Sequence, residues 1–82
     1  MPENEIGKVT HFFDKLGVAI LKLSGELSVG DKIRIDAETP FVQMVSSMQV
    51  KHKNIEHAKK DDDIGMKVDR PCKDGDKVLK LS

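Results

Sequence analysis

Apolar residues in this chain fall in short runs separated by turn-forming residues. Residues 6–13 (IGKVTHFF) predict a first strand. Asp14, Lys15, Leu16 and Gly17 follow as a turn, with Gly17 free to take a positive φ. Residues 18–23 (VAILKL) read as a second strand, because the run is short for a helix and rich in aliphatics. A connection containing Gly25 and Gly30 leads to residues 32–36 (KIRID), whose alternation puts Ile33 and Ile35 on one face. Residues 41–50 (FVQMVSSMQV) predict one long strand with Val42, Met44, Ser46, Met48 and Val50 sharing a face. Residues 51–63 are the least apolar stretch, with Ile55 and Ala58 as its apolar members. Residues 64–69 (IGMKVD) alternate again, with Ile64, Met66 and Val68 inward, and residues 78–81 form the last strand.

Six strands with turn chemistry between them predict an all-β domain over residues 6–82, with residues 1–5 as a disordered end. A small closed six-stranded barrel suits so short a chain, since closure removes exposed strand edges. β-branched residues and glycines interrupt helical periodicity in nearly every window. The second strand is apolar on both faces: Ala19, Leu21 and Leu23 point one way, Val18 and Ile20 the other. Either a loop covers the outer pair, or the pair forms an exposed patch for a partner.

Composition narrows the function classes. The chain has 82 residues, enough for one domain of modest stability, about 5 kcal/mol. Fourteen Lys and Arg balance fourteen Asp and Glu, which argues against a strongly basic nucleic-acid arm or an acidic tail. No apolar run approaches the roughly 18 residues of a membrane span, and no signal-peptide pattern opens the chain. Cys72 is the single cysteine, so there is no intrachain disulfide, and a cytoplasmic setting is expected.

Candidate chemistry is sparse. No serine lies in a Gly-x-Ser-x-Gly elbow. Cys72 reads as a small, partly buried turn residue. His52 and His57 are five apart, which does not place two ligands on one helix face. Asp61, Asp62 and Asp63 read as a solvated turn, and lack the spacing of a calcium loop. Neither Gly-rich phosphate-binding pattern occurs, so no nucleotide is expected; with the serine, cysteine, histidine and aspartate readings above, no cofactor, metal or catalytic activity is expected either. One local asymmetry stands out: Lys51, Lys53, Lys59 and Lys60 against Glu56 leave an excess of three positive charges, with His52 and His57 beside them. The next ten residues carry the opposite bias. Such a loop can hold a phosphate backbone, although the only aromatics for stacking are Phe12, Phe13 and Phe41.

The segment Leu27-Ser28-Val29-Gly30-Asp31-Lys32-Ile33-Arg34-Ile35 resembles the second domain of the translational GTPases, with elongation factor Tu as the type. Gly17–Leu23 (GVAILKL), the VSSMQ segment at 45–49, Ala58-Lys59-Lys60-Asp61-Asp62-Asp63-Ile64-Gly65 and the closing Asp74-Gly75-Asp76-Lys77-Val78-Leu79 follow in that family's order. Asp61 stands where the family usually has Gly. The resemblance covers about residues 5–81 and implies a β-barrel. It implies Val29 capping the core, Gly30 at an unusual φ and Asp31 bonding turn amides. Similar barrels also occur as free-standing small proteins and as C-terminal appendages of collagenase-like peptidases, and this chain looks most like the free-standing group. The resemblance implies a non-enzymatic binding module, linked to tRNA, rRNA or a translation- or peptidase-related protein. The local charge excess, not the resemblance, supplies the expected nucleic-acid contacts: Lys51, His52, Lys53, Lys59 and Lys60. The alternative is a protein-interaction module that docks Val18 and Ile20 on a partner enzyme or on a second copy.

Overall fold

The structure, a computed structural model, describes residues 4–51 and 53–81. Among them are ten strands: β1 (Asn4–Phe13), β2 (Val18–Leu23), β3 (Leu27–Ser28), β4 (Lys32–Asp36), β5 (Phe41–Met44), β6 (Met48–Val50), β7 (Lys53–Ile55), β8 (His57–Ala58), β9 (Asp63–Lys67) and β10 (Lys77–Lys80). Eight of them form one antiparallel sheet in the order β5-β4-β10-β1-β2-β9-β6-β7, while β3 and β8 form a separate two-stranded ribbon. The all-β expectation holds. The closed six-stranded barrel does not: the sheet is curled into a half-barrel whose ends are β5 and β7.

The physical reason lies in two stretches. The expected long strand over 41–50 breaks at Ser46 and Ser47, neither of which belongs to a strand. Val45 there turns its backbone toward the β3–β4 connection, donating to Asp31 O (2.9 Å) and accepting from Gly30 N (2.8 Å). The polar stretch after residue 50 then contributes two short strands in place of a loop. β1 also begins at Asn4, inside the segment expected to be disordered.

The core runs along the concave side. Val9, Ala19, Leu21, Leu23, Ile33, Ile35, Met48, Ile64, Met66 and Val78 are buried there. Strand alternation in β2, β4 and β9 places these residues as their pattern predicts. Two bulges adjust β1: its register shifts between Glu5 and Gly7 and again between Val9 and His11. The second inserts Thr10, so that Phe12 packs inward while His11 and Phe13 both point outward.

The face expected to be shared along residues 41–50 is divided: Met48 is buried, whereas β5 turns Val42 and Met44 outward. Phe41, Gln43 and Val45 are buried, and Val42 and Met44 are exposed. Gln43 can sit inside because its amide is fully used. Its Nε2 donates to Lys67 O at 3.0 Å, and its Oε1 accepts from Asp69 N at 2.8 Å. These bonds clasp the end strand β5 to the chain leaving β9, on the opposite wall of the half-barrel.

One turn design occurs three times, at residues 28–31, 59–62 and 73–76. In each, the fourth residue's N–H donates to the first residue's carbonyl at 3.1 Å. The third residue has a positive φ: Gly30 (97°), Asp61 (74°) and Gly75 (94°). That is the φ pattern of a type II turn. The fourth residue is Asp31, Asp62 or Asp76, and its carboxylate accepts from the first residue's N–H at 2.7–3.0 Å. Asp31 and Gly30 thus behave as expected, and Asp61 adopts the left-handed conformation that glycine would favour. Val29 does not cap the core; it is exposed.

Candidate functional site

The outer pair on β2 is not roofed by a loop. Val18 and Ile20 are half-buried on the convex side, beside exposed Phe13 and Leu16 (69% exposed). Phe13 pairs with Val18 across the β1–β2 hairpin, and His11 pairs with Ile20. The His11 and Phe13 rings lie 4.5 Å apart, tilted by 53°. On the other side, Ile20 faces Gly65 of β9. A Cβ at Gly65 would lie 3.5 Å from Ile20 Cδ1 and 3.6 Å from Val18 Cγ1, so glycine here leaves a furrow beside the aliphatic side chains. The resulting groove has a volume of about 330 Å³, with Gln49, Lys51 and Asp63 at its rim. It is an apolar strip with a polar border, the usual anatomy of a protein-docking surface.

The basic residues sit on different local elements. Lys51 sits in the β6–β7 turn, with φ of 52°, and lines the apolar groove just described. Lys53 is exposed on β7. Lys59 and Lys60 belong to the second of the three aspartate turns. Lys60 lines a different groove, shared with Lys8, Lys22, Glu5 and Asp61. His52 lies outside the described residues.

Sequence reasoning missed one polar cluster. Ser28 Oγ and His57 Nδ1 are 2.8 Å apart across the β3–β8 ribbon, and Glu26 Oε1 is 3.8 Å from His57 Nε2. The residue types are those of a hydrolytic triad, but the carboxylate is beyond hydrogen-bond reach and both His57 and Glu26 are largely exposed. The Ser28–His57 bond ties the two ribbon strands together. Their pairing, Ser28 opposite His57, was not visible in sequences 29 residues apart.

At one end of the half-barrel, Phe12, Ala37 and buried Cys72 form the floor of a cleft of about 700 Å³. Burial, with the negative charge of Asp76 adding to it, pushes the Cys72 thiol up to about 11. Cys72 is therefore a neutral thiol at ordinary pH, without the depressed pKa of a nucleophile. Among the described residues no group of three metal-ligating side chains occurs.

The chain is 39% identical, over 79 residues, to an uncharacterised protease of Methanocaldococcus jannaschii. The match takes in 94% of this chain but only 19% of that protein. This chain thus spans about a fifth of the length of the curated relative it matches. No family model matches the chain. Among solved structures, two crystal structures of the C-terminal domain of a Geobacillus thermoleovorans protein assigned to the U32 peptidases, the first of them of its selenomethionine variant, share the fold. One superposes with a TM-score of 0.89 at 18% identity, covering 94% of this chain and 99% of that one. The other gives 0.90 at 17% identity, covering 96% and 93%.

These similarities correct the expected relationship. The fold neighbours are peptidase C-terminal domains, and the second domain of elongation factor Tu is not the family they indicate. The Val-Gly-Asp segment that carried the resemblance is one of three equivalent aspartate turns, a solution to local backbone geometry that unrelated small barrels can share. The translation-linked role and its tRNA or rRNA partner fall with that relationship. The interaction-module alternative, centred on Val18 and Ile20, agrees better with a peptidase-related setting.

Proposed function

We propose that this chain is a non-catalytic, peptidase-associated domain that docks its Phe13–Leu16–Val18–Ile20 strip against the body of a peptidase. The observation that carries this reading is the 39% match along nearly the whole chain to one fifth of a protease. A segment that makes up so small a share of a larger protein has the remaining four fifths available as a covering surface. The strip supplies what such a contact needs: apolar side chains on a rigid two-strand platform, bordered by Lys51 and Asp63. The non-catalytic part of the reading is supported by the exposed, incomplete Ser28–His57–Glu26 geometry and by the raised thiol pKa of Cys72.

The test is association in trans. The Methanocaldococcus protease, trimmed of its matching segment, is titrated with this chain and with its Ile20→Glu variant in a calorimeter. Saturable binding by the parent chain, weakened at least about tenfold by Ile20→Glu, is expected, since a charge would be buried in the contact. Equal binding by both chains, or none by either, would overturn the reading.

A further inference from the structure

The cleft at the end of the half-barrel is separate from the docking strip. Its floor is Phe12, Ala37 and Cys72, all at least half-buried and apolar. Its rim carries four charges from three different connections. Asp14 comes from the β1–β2 turn, Glu38 from the β4–β5 turn, and Arg70 and Lys73 from the segment between β9 and β10. None of these four charged side chains has a hydrogen-bond or ion-pair partner among the described residues. Two acids and two bases thus surround one apolar floor without neutralising each other. The bases come from one wall, and the acids from the two hairpin turns. A smaller lobe of about 320 Å³ continues the cleft past Phe12 and Cys72 toward His11 and Asp74, so the depression is elongated. The main volume, about 700 Å³, lies within the usual range of about 300–1,000 Å³ for small-ligand clefts.

We infer that this cleft binds a short apolar peptide with free ends, its carboxylate on Arg70 and Lys73, its ammonium on Asp14 and Glu38, and an aliphatic side chain on the Phe12–Ala37–Cys72 floor. The charge pattern selects this class. A simple anion would use only the basic wall, and a simple cation only the turns. A zwitterion with an apolar middle uses every part of the lining. An Arg beside a Lys also suits a carboxylate, because the guanidinium fork can bind it through two bonds. The inference does not rest on the docking reading, because the two surfaces use opposite faces of β1: Phe12 for the cleft and Phe13 for the strip.

The experiment is an NMR titration of the isotope-labelled chain with alanyl-leucyl-alanine. Saturable amide shifts are expected at Phe12, Ala37, Glu38, Thr39, Arg70, Cys72 and Lys73, with a dissociation constant of about 1 mM. Acetylating and amidating the peptide's ends should weaken binding at least about tenfold. The double variant Arg70→Glu, Lys73→Glu should remove binding while leaving β2 and β9 amide positions unchanged, which certifies its fold. Ile20→Glu should bind the peptide as the parent does, so that failure of docking and failure of this site are told apart. No saturable shifts up to about 10 mM, equal binding of the capped peptide, or the same shifts from acetate alone would each overturn the inference.

Discussion

Replacing Gln43 by Leu should unfold this protein more readily than its position on an end strand suggests. Gln43 is 6% exposed, and its amide makes two good bonds across the opening of the half-barrel, at 3.0 Å to Lys67 O and 2.8 Å from Asp69 N. Leucine keeps the apolar bulk, so the cavity contribution is small and the loss is mainly polar. A net hydrogen bond contributes about 1 kcal/mol, and a buried group left without a partner costs about 1–3 kcal/mol. Lys67 and Asp69 are themselves exposed residues, so water recovers part of the loss. The expected cost is about 2–3 kcal/mol, near half of a stability of about 5 kcal/mol. For a domain this size that lowers Tm by about 10–20 °C. Urea titration followed by circular dichroism measures it, with an unchanged m-value showing that the unfolded state is unaltered. A loss below about 0.5 kcal/mol would refute the idea that this amide clasps β5 to the far wall.

Other outcomes follow from the same geometry. Gly65→Ala should change stability by less than about 0.5 kcal/mol, because its Cβ makes only ordinary contacts at 3.5 and 3.6 Å. Gly7→Ala should cost about 1–3 kcal/mol, because its Cβ would meet Lys22 O and Leu23 Cδ2 at 3.1 Å; parallel urea titrations compare the pair. Asp62→Ala should lose about 1 kcal/mol, by removing the carboxylate that accepts from Lys59 N, read as a lower urea midpoint. The Cys72 thiol is raised in the folded state from 9.0 to about 11, by burial and then by Asp76. A raised pKa means that its contribution is intact below pH 9 and is lost as pH climbs toward 11. Stability measured at pH 8 and pH 10.5 should therefore fall more in the parent than in Cys72→Ala.

Much of this architecture is legible in the sequence, and the exceptions have physical causes. β2, β4 and β9 follow simple alternation because each lies inside the sheet, with one face on the core. Burial alternates at β5 too, but the polarity does not match it: a polar Gln43 is inward and Val42 and Met44 are outward. Only the backbone groups of Lys67 and Asp69, 24 and 26 residues away, explain that reversal. The Thr10 bulge is likewise silent in the pattern, yet it decides which of Phe12 and Phe13 reaches the interior. The docking strip is half legible: Val18 and Ile20 stand out as apolar residues on a second face, whereas Phe13 and Gly65 join them only through strand pairing and Leu16 through the β1–β2 turn. Lys51 and Lys60 are close in sequence but line different grooves, with β7 and β8 between them in the chain. The cleft could not be read ahead, since its rim draws on three connections distant in the chain.

The most direct measurement of the docking claim uses Leu16→Cys, because Leu16 is the most exposed member of the strip and buried Cys72 does not compete for reagent. The thiol is labelled with a maleimide in the isolated chain. The same measurement is made in a chimera in which this chain replaces the matching segment of the Methanocaldococcus protease. Labelling at least about tenfold slower in the chimera is the predicted result, since a covered thiol reacts only when the contact opens. Equal rates in the two proteins would leave the strip facing water and contradict the claim.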